Sequence, residues 1–388
     1  SVVKELVENS LDAGANSIEV HLKDAGKELL HIKDDGCGIP KADLEKIFQR
    51  HATSKLKSID DLEKLASMGF RGEALYSIAA VSDILLRSKT SKAEAWEIHL
   101  QASQRLDLKP TAFSGQGTEI KITQLFFNTP ARRKFLKSTT AEMQQILNVF
   151  LPYCLLYPQK RFNLTHAGKS VIDLKPALSA IDRMSAALNL PSKDLIETTQ
   201  EFEDLNASVR MVLSNINVQR PRRDLQFIFV NQRPVESKNL SFNINDIFRL
   251  ILPPGLYPAF LLDIQLDPAE VDVNIHPTKR EVRLRQEARL VSFIRHLCEY
   301  TLMQQGQAKT IAAETLLGSD VSFINQAQSF LSKSDPAANQ YYFNPKEQES
   351  ASPTSFKSHL SRTFASSHWQ SVSGDLFKSE DNLQNKFT

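Results

Sequence analysis

A carboxylate and an amide stand four residues apart near the start of the chain, at Glu5 and Asn9. Residues 1 to about 14 alternate apolar and polar positions at helical spacing, so both side chains should project from one face of a helix. A carboxylate and a neutral amide oxygen suit one Mg²⁺ that keeps several waters and bridges to phosphates. The alternative is a solvated acidic face that pairs with Lys4, and the spacing alone favours this alternative.

Asp34, Gly36 and Gly38 form an Asp-x-Gly-x-Gly run directly after the strand-like residues 28–33. The glycines would let the backbone approach a flat ligand closely, and the carboxylate can accept a hydrogen bond from an exocyclic amine such as that of adenine. The alternative is an ordinary turn in which Asp34 hydrogen-bonds its own backbone, and by itself the motif is weak. Within the run, Cys37 is expected to be a small buried residue without redox chemistry.

Residues 69–75 read GFRGEAL and place two glycines just before a helical pattern. A helix N-terminus exposes free N–H groups, which makes it an anion site. The alternative is a plain turn at the entry of the helix, and the spacing matches neither a Walker A nor a Rossmann fingerprint. Between this segment and the Asp-x-Gly-x-Gly run lies a basic stretch, residues 51–57 (HATSKLK), which could fold over a bound triphosphate.

Three segments follow one another along the chain: the helix with Glu5 and Asn9, the Asp-x-Gly-x-Gly run and the GFRGEAL helix entry. In this order they resemble the GHKL ATPases, the superfamily of gyrase B, the ninety-kilodalton heat-shock chaperone, histidine kinases and MutL. Longer stretches resemble the MutL family in particular; they are KELVENSLDAG from residue 4, DDGCGI from 34, HATSK from 51, GFRGEAL from 69, FNTPARRKFL from 127, VNQRP from 230 and HPTKREVR from 276. The resemblance covers roughly residues 1–304, and motifs of this length are highly specific. One departure is Asp35, where the family commonly carries Asn.

The resemblance implies catalytic and metal-binding roles for three positions. Glu5 would be the general base that orients and deprotonates an attacking water. Asn9 would ligate Mg²⁺, and Lys279 would reach across from a second domain to the γ-phosphate. The implied cofactors are therefore ATP and Mg²⁺.

The resemblance also implies a set of ATP-binding residues, namely Asp34, Gly36, Gly38, Lys55, Gly69, Arg71, Gly72 and Thr118. Asp34 would accept from the adenine amine, and Thr118 would support it through a water molecule. The first two glycines would let the loop approach the ring. Lys55 would belong to a lid, and Arg71 with its flanking glycines would hold phosphates.

The helical and strand-like patterns along the chain predict the elements that position these residues, and together they indicate an α/β protein with two folded parts. Strand-like runs are expected at residues 17–23, 28–33, 83–89, 94–101, 117–123, 208–213, 225–230 and 259–265, and helices near 1–14, 41–50, 73–80, 180–188 and 286–304. The resemblance implies a GHKL (Bergerat) α/β sandwich ATPase domain at 1–185 and, at 190–305, a transducer domain similar to domain 2 of ribosomal protein S5. Residues 306–388 are rich in Ser, Gln and Asn, so we expect a disordered linker there.

Composition limits the remaining function classes. The 388 residues carry 47 Lys and Arg against 45 Asp and Glu, so contact with nucleic acid would depend on local basic patches. Two such patches are Arg132-Arg133-Lys134 and the set Lys279, Arg280, Arg283, Arg285 and Arg289; the alternative for both is solvated surface. Three cysteines without CxxC spacing indicate a reducing cytosol and no evident zinc site. The longest apolar stretch, residues 250–264, is broken by prolines, so no membrane span is expected.

The resemblance implies a DNA mismatch repair ATPase whose N-terminal domains dimerise and clamp DNA on binding ATP. Expected partners are double- and single-stranded DNA without sequence specificity, the mismatch-recognition protein MutS, and a downstream nicking enzyme and helicase. The full-length protein is expected to be a homodimer in the bacterial cytoplasm, associated with the nucleoid, and the chain to be a fragment of it. Two alternatives stay open: a gyrase B-like ATPase, and a non-catalytic, ATP-dependent matchmaker.

Overall fold

The computed structural model of the chain describes residues 2–49, 74–91, 93–272 and 282–304. All of these except 302–304 belong to one compact unit. Within the described ranges, no helix combines the length and the apolar character that crossing a membrane would require.

The larger sheet has eight strands in the order β5-β4-β3-β6-β2-β1-β7-β8. They are β1 (Ser17–Lys23), β2 (Leu29–Asp34), β3 (Asp83–Lys89), β4 (Trp96–Gln101), β5 (Gln104–Pro110), β6 (Gly117–Thr123), β7 (Arg161–His166) and β8 (Lys169–Leu174). The β1–β7 pair is parallel and the other pairs are antiparallel. Alternate residues along β1, β2 and β3 are buried, which is typical of strands with one face on a core.

Several helices accompany this sheet in the described part of the chain. They are α1 (Val2–Asp12), α2 (Lys41–Leu44), α3 (Ala74–Ala79), α4 (Pro130–Lys134), α5 (Thr139–Leu156) and α6 (Ala180–Leu188). Helix α1 packs against α5, α3 and β2. This packing buries its apolar stripe of Val3, Leu6, Val7 and Leu11. The helix expected near residues 41–50 is shorter than predicted: it ends at Leu44, and a 3₁₀ turn follows at Lys46–Phe48.

The second sheet has five strands in the order β12-β11-β13-β10-β9. They are β9 (Leu195–Phe202), β10 (Ala207–Ser214), β11 (Gln226–Val230), β12 (Arg233–Val235) and β13 (Phe260–Gln265). This part of the chain also contains helices α7 (Lys238–Phe248) and α8 (Glu287–Leu302) and the short ladder of β14 (Val271–Asp272) and β15 (Arg283–Leu284). One cluster of buried apolar side chains runs from α1 through the larger sheet to Phe229 and Leu261 of the second, so the two sheets share a core.

The two sheets and their helices confirm the predicted α/β class. The chain passes from the first sheet to the second after α6, whose C-cap residue Asn189 adopts the left-handed conformation. The boundaries 1–185 and 190–305 remain predictions, and the expected linker at 306–388 lies outside the described residues.

Candidate functional site

Helix α1 carries Glu5 and Asn9 as the spacing predicts. Both side chains are half-buried, whereas Leu6 and Val7 between them face the core. The four-residue spacing puts the carboxylate and the amide on neighbouring positions of one face. The burial of the apolar stripe fixes the rotation of the helix and so keeps this polar pair at the edge of the core.

Asp34 ends β2 and is held by donors from three separate elements. Its Oδ2 accepts from the Ser10 hydroxyl on α1 at 2.8 Å. Its Oδ1 accepts from the Gly36 backbone N–H at 2.9 Å and from the Thr118 N–H at 3.3 Å. Burial raises the pKa of this carboxyl, while the three hydrogen bonds oppose the rise.

The hydrogen-bonding capacity of Asp34 leaves room for a ligand. An ionised carboxylate offers about four acceptor positions, and three are occupied by Ser10, Gly36 and Thr118. Among the described residues, no donor fills the fourth position. A fixed acceptor of this kind fits an exocyclic amine such as that of adenine.

Three glycines allow close packing around Asp34, where the loop meets Ala13 and the end of β3 and where β6 meets the end of β2. A Cβ on Gly36 would lie 2.8 Å from the Cβ of Ala13, and one on Gly38 would lie 2.1 Å from the Lys89 carbonyl oxygen. At Gly117 it would lie 2.0 Å from the Asp34 carbonyl oxygen. Gly38 also has φ +72°, which L side chains rarely adopt. The structure thus gives the two predicted glycines a packing role that the sequence argument did not contain.

Two serines that sequence reasoning missed belong to the same network. Strand register aligns Asp34 with Thr118 and Thr118 with Ser88 across β2, β6 and β3. The buried Ser88 hydroxyl lies 3.0 Å from the Thr118 hydroxyl and accepts from the Ile39 N–H at 2.8 Å. Ser10 follows Asn9 directly within the KELVENS motif, so its position could have indicated that it belongs to the site. The pairing of Ser88 with Thr118 could not be predicted without the order of the strands in the sheet.

Two residues of this loop, Asp35 and Cys37, were not assigned a ligand-binding role, and the direction of the Cys37 side chain differs from the prediction. Cys37 is exposed, so the expectation of a small buried residue is wrong: the loop turns this side chain outward while Gly36 is buried. Asp35, the departure from the family pattern, accepts from the backbone N–H groups of Asn16 and Ser17 at 2.7 and 2.8 Å. It therefore fixes the start of β1.

A second buried carboxylate, Glu8, lies on α1 between Glu5 and Asn9. It is 5% exposed and accepts from the Tyr153 hydroxyl of α5 at 2.6 Å. The Lys4 ammonium lies 3.7 Å from the same oxygen. Burial raises the pKa of both Glu8 and Tyr153, so Tyr153 remains a neutral donor.

Several predicted site residues lie outside the part of the chain that the structure describes. They are Lys55, Gly69, Arg71, Gly72 and Lys279. In the basic patches, the side chains of Arg132, Arg133 and Lys134 on α4 are exposed. Arg289 instead forms an ion pair with Asp204 at 2.8 Å.

Metal binding would depend on few protein ligands. Across the described ranges, no group of three or more His, Cys, Asp or Glu side chains could hold a metal ion. Mg²⁺ bound through phosphates and water needs only one or two protein ligands. The Asn9 amide beside Glu5 fits that requirement.

Comparisons with known proteins match both parts of the chain. Residues 1–118 match the model of the histidine kinase-, DNA gyrase B- and HSP90-like ATPases, and residues 189–303 match the C-terminal domain model of the DNA mismatch repair proteins. These matches, together with the larger sheet and its helices, place the chain in the GHKL ATPase class.

Individual relatives narrow the class further. DNA mismatch repair protein MutL of Haemophilus influenzae (strain PittEE) is 41% identical over 313 residues, which are 79% of this chain and 49% of that protein. The Aquifex aeolicus MutL ATPase domain solved with ADP is 30% identical with a TM-score of 0.51, covering 69% of this chain and 91% of that one. A second structure, the ATPase domain of the bacterial mismatch repair endonuclease Aquifex aeolicus MutL, is 28% identical with a TM-score of 0.56. The match covers 76% of this chain and 96% of that one. The chain belongs to the MutL family of DNA mismatch repair proteins, and it spans about half the length of this curated relative.

Proposed function

We propose that the chain binds ATP between α1 and the Asp34 loop and hydrolyses it to drive steps of DNA mismatch repair. The observation that carries this proposal is the hydrogen bond between Ser10 and Asp34. It joins the helix that bears Glu5 and Asn9 directly to the Asp34 carboxylate, whose fourth acceptor position receives no donor from the described residues. A related ATPase domain was solved with ADP, which supports a nucleotide as the ligand.

Each residue then has one task in the reaction. Asp34 accepts from the adenine amine, Thr118 supports this contact through a water molecule, and Gly36 and Gly38 let the loop approach the ring. Glu5 orients a water molecule and takes its proton as the water attacks the γ-phosphate, the bond to the β,γ-bridging oxygen breaks, and ADP leaves. A positioned base of this kind contributes about 10²–10⁴ in rate. We further propose Lys55, Gly69, Arg71 and Gly72 as phosphate and lid residues, and Lys279 as the contact to the γ-phosphate.

Magnesium is the second component of the proposal. Mg²⁺, when bound, neutralises charge on the phosphate oxygens. Asn9 would be its protein ligand, because it offers a neutral oxygen one helical turn from Glu5.

The nucleotide-binding half of the proposal is tested by Asp34→Ala. Loss of a hydrogen bond to a charged acceptor is worth roughly 1.5–3 kcal/mol, which corresponds to more than tenfold in affinity. The preference for ATP over GTP should fall together with the affinity in a calorimetric titration. Asp107→Ala, at an exposed aspartate of β5 that pairs with Lys109, is the control. Unchanged nucleotide selectivity in Asp34→Ala would exclude the proposed role.

For the whole protein we propose DNA contact, ATP-driven dimerisation of N-terminal domains, and coupling of MutS to a nicking enzyme and a helicase. The location would be the bacterial cytoplasm, at the nucleoid. The domain division would be 1–185, 190–305 and a linker at 306–388. The family match supports these proposals, although the chain spans about half of this relative.

DNA contact through the exposed side chains of α4 should be electrostatic and independent of sequence. Replacing Arg132 and Arg133 by Glu should weaken binding of double- and single-stranded DNA without changing ATP affinity. Arg249→Glu, at a side chain that is 73% exposed in the second part of the chain, is the control. An affinity that hardly changes between low and physiological salt, measured by fluorescence anisotropy, would contradict backbone contact.

A further inference from the structure

Helix α4 is followed by an exposed aromatic side chain. Phe135 comes directly after the helix and is 82% exposed, compared with 58% for Phe242 and 43% for Tyr300. Phe127, a few residues before the helix, is 36% exposed. A single apolar side chain on the surface needs no explanation, but these two phenyl groups lie on either side of a run of cations.

The cations of α4 differ from other exposed cations in the chain. Arg132, Arg133 and Lys134 are exposed and lie in the last turn of the helix. Elsewhere such side chains pair with carboxylates; the Lys109 ammonium, for example, lies 2.8 Å from the Asp107 carboxylate. No carboxylate in the described part of the chain forms an ion pair with the three cations of α4. Their charges are therefore free to meet an anionic partner.

Phe135 and Arg132 project from the same side of this segment. The Phe135 N–H donates to the Arg132 carbonyl at 3.1 Å, and the Leu136 N–H donates to the Arg133 carbonyl at 3.2 Å. Bonds between residues three apart are those of a 3₁₀ turn, in which side chains three apart eclipse each other. The phenyl ring thus leaves the backbone on the side that carries the Arg132 guanidinium group.

The backbone around α4 is anchored at both ends. Before the helix, the Asn128 amide donates to the Ala80 carbonyl at 2.8 Å. After the helix, the Lys137 N–H donates to the Glu142 carboxylate at 2.9 Å. The exposed ring is therefore held on a fixed backbone, and a ligand that contacts it does not have to order the segment first.

We propose that Phe135 stacks on an unpaired base of single-stranded DNA while the cations of α4 hold the phosphates beside it. Every base has a flat π-face, and aromatic side chains of single-strand binding proteins stack on such faces. In a duplex, neighbouring base pairs cover these faces, so the exposed ring finds no base to stack on. Phe135 would thus make α4 distinguish single strands from duplexes, whereas phosphate contacts hold both.

Charge complementarity favours a nucleic acid over a protein as the occupant of this surface. A strand presents a phosphate at every nucleotide with a base beside it, and so matches a run of cations next to an aromatic ring. A protein partner would need a cluster of carboxylates beside an apolar pocket. The inference rests on the proposed DNA contact of α4, and it adds the residue that selects the form of DNA.

The binding test compares Phe135→Ala and Phe135→Trp with wild type by fluorescence anisotropy, with labelled oligothymidine and a duplex of equal length as probes. Stacking on one base contributes about five- to a hundredfold in affinity. Phe135→Ala should lose this factor for oligothymidine and stay within about twofold of wild type for the duplex. Phe135→Trp keeps an aromatic ring and should bind oligothymidine at least as tightly as wild type. Equal losses for both probes, or no loss for either, would overturn the inference.

The matched control is Tyr300→Ala, at an exposed aromatic side chain of α8 that has no run of basic residues beside it in the sequence. It should bind both probes as wild type does. Tryptophan emission gives a second readout, because stacking on a base quenches an indole. The emission of Phe135→Trp should fall on addition of oligothymidine by more than that of wild type, whose two tryptophans supply the background. Equal quenching in the two proteins would contradict stacking.

Salt dependence separates this inference from the proposed DNA contact. Each phosphate contact to a single strand contributes about 0.7 to the slope of log K against log salt concentration. Arg132→Ala should reduce that slope by about this amount, whereas Phe135→Ala should leave it unchanged. If both variants bind oligothymidine as wild type does, the proposed contact at α4 fails and the inference fails with it. If only Phe135→Ala does so, the contact stands and the stacking role is refuted.

Discussion

The two ends of the candidate site are built in different ways. Around Asp34, a backbone turn, a helix hydroxyl and a neighbouring strand supply three donors, so the acceptor is fixed before any ligand arrives. Glu5 and Asn9 instead lie half-buried at the edge of α1, and their direction depends on how that helix packs. The selection of the nucleotide base would thus depend on the rigid local geometry around Asp34. The rate of hydrolysis would depend on how α1, which carries Glu5 and Asn9, packs against distant parts of the chain. Gly38→Ala perturbs the rigid end of the site, and Ser10→Ala breaks the hydrogen bond that joins the two ends.

The largest expected loss of stability comes from Gly38→Ala. Both Gly38→Ala and its control Gly168→Ala place a side chain at positive φ, +72° and +78°, which costs about 1–2 kcal/mol. Only at Gly38 does the new Cβ collide with backbone; at Gly168 nothing lies within 4 Å. Overpacking of this kind adds about 1–3 kcal/mol, measurable by urea unfolding. Equal destabilisation of the two variants would show that the Asp34 loop is less rigid than the structure indicates.

A smaller effect is expected from Ser10→Ala, which removes the hydrogen bond between α1 and Asp34. A hydrogen bond to a charged group contributes roughly 1.5–3 kcal/mol. Ser82→Ala is the matched control, because the buried Ser82 hydroxyl donates to the neutral Ile78 carbonyl at 2.6 Å and its loss should cost about 0.5–1.5 kcal/mol. Ser10→Ala should lower both ATP affinity and kcat, whereas Ser82→Ala should lower neither. An effect of Ser10→Ala on affinity alone would mean that the two ends of the site act independently.

Much of the fold could be predicted from local patterns in the sequence. The apolar stripe of α1 predicts a helix with Glu5 and Asn9 on one face, and alternation predicts the strands that bring Asp34 to the end of β2. The helix after Pro40 is shorter than the pattern at 41–50 predicts, because a 3₁₀ turn follows it at Lys46–Phe48. The outward direction of Cys37 was also missed, since the orientation of a side chain in an irregular loop follows no period.

What could not be predicted depends on contacts between distant residues. Ser88 joins the Asp34 network only because β3 and β2 both pair with β6. From the sequence, Glu8 cannot be distinguished from the other acidic residues of its helix. Its role depends on the hydrogen bond from Tyr153, which lies 145 residues away along the chain. Neither pairing leaves a periodic signal in the sequence, so the strand order and the helix packing had to be known first.

Single-turnover hydrolysis by Glu5→Ala tests the central claim most directly, since this claim assigns binding to one end of the site and chemistry to the other. Glu28→Ala is the control, because Glu28 is an exposed glutamate that pairs with Lys23. With ATP bound to saturation, the cleavage rate of Glu5→Ala should fall by about 10²–10⁴. Its ATP dissociation constant should stay within about threefold of wild type, as expected for a group that acts in the transition state. Cleavage at the wild-type rate, or loss of ATP binding by a folded Glu5→Ala protein, would contradict the account.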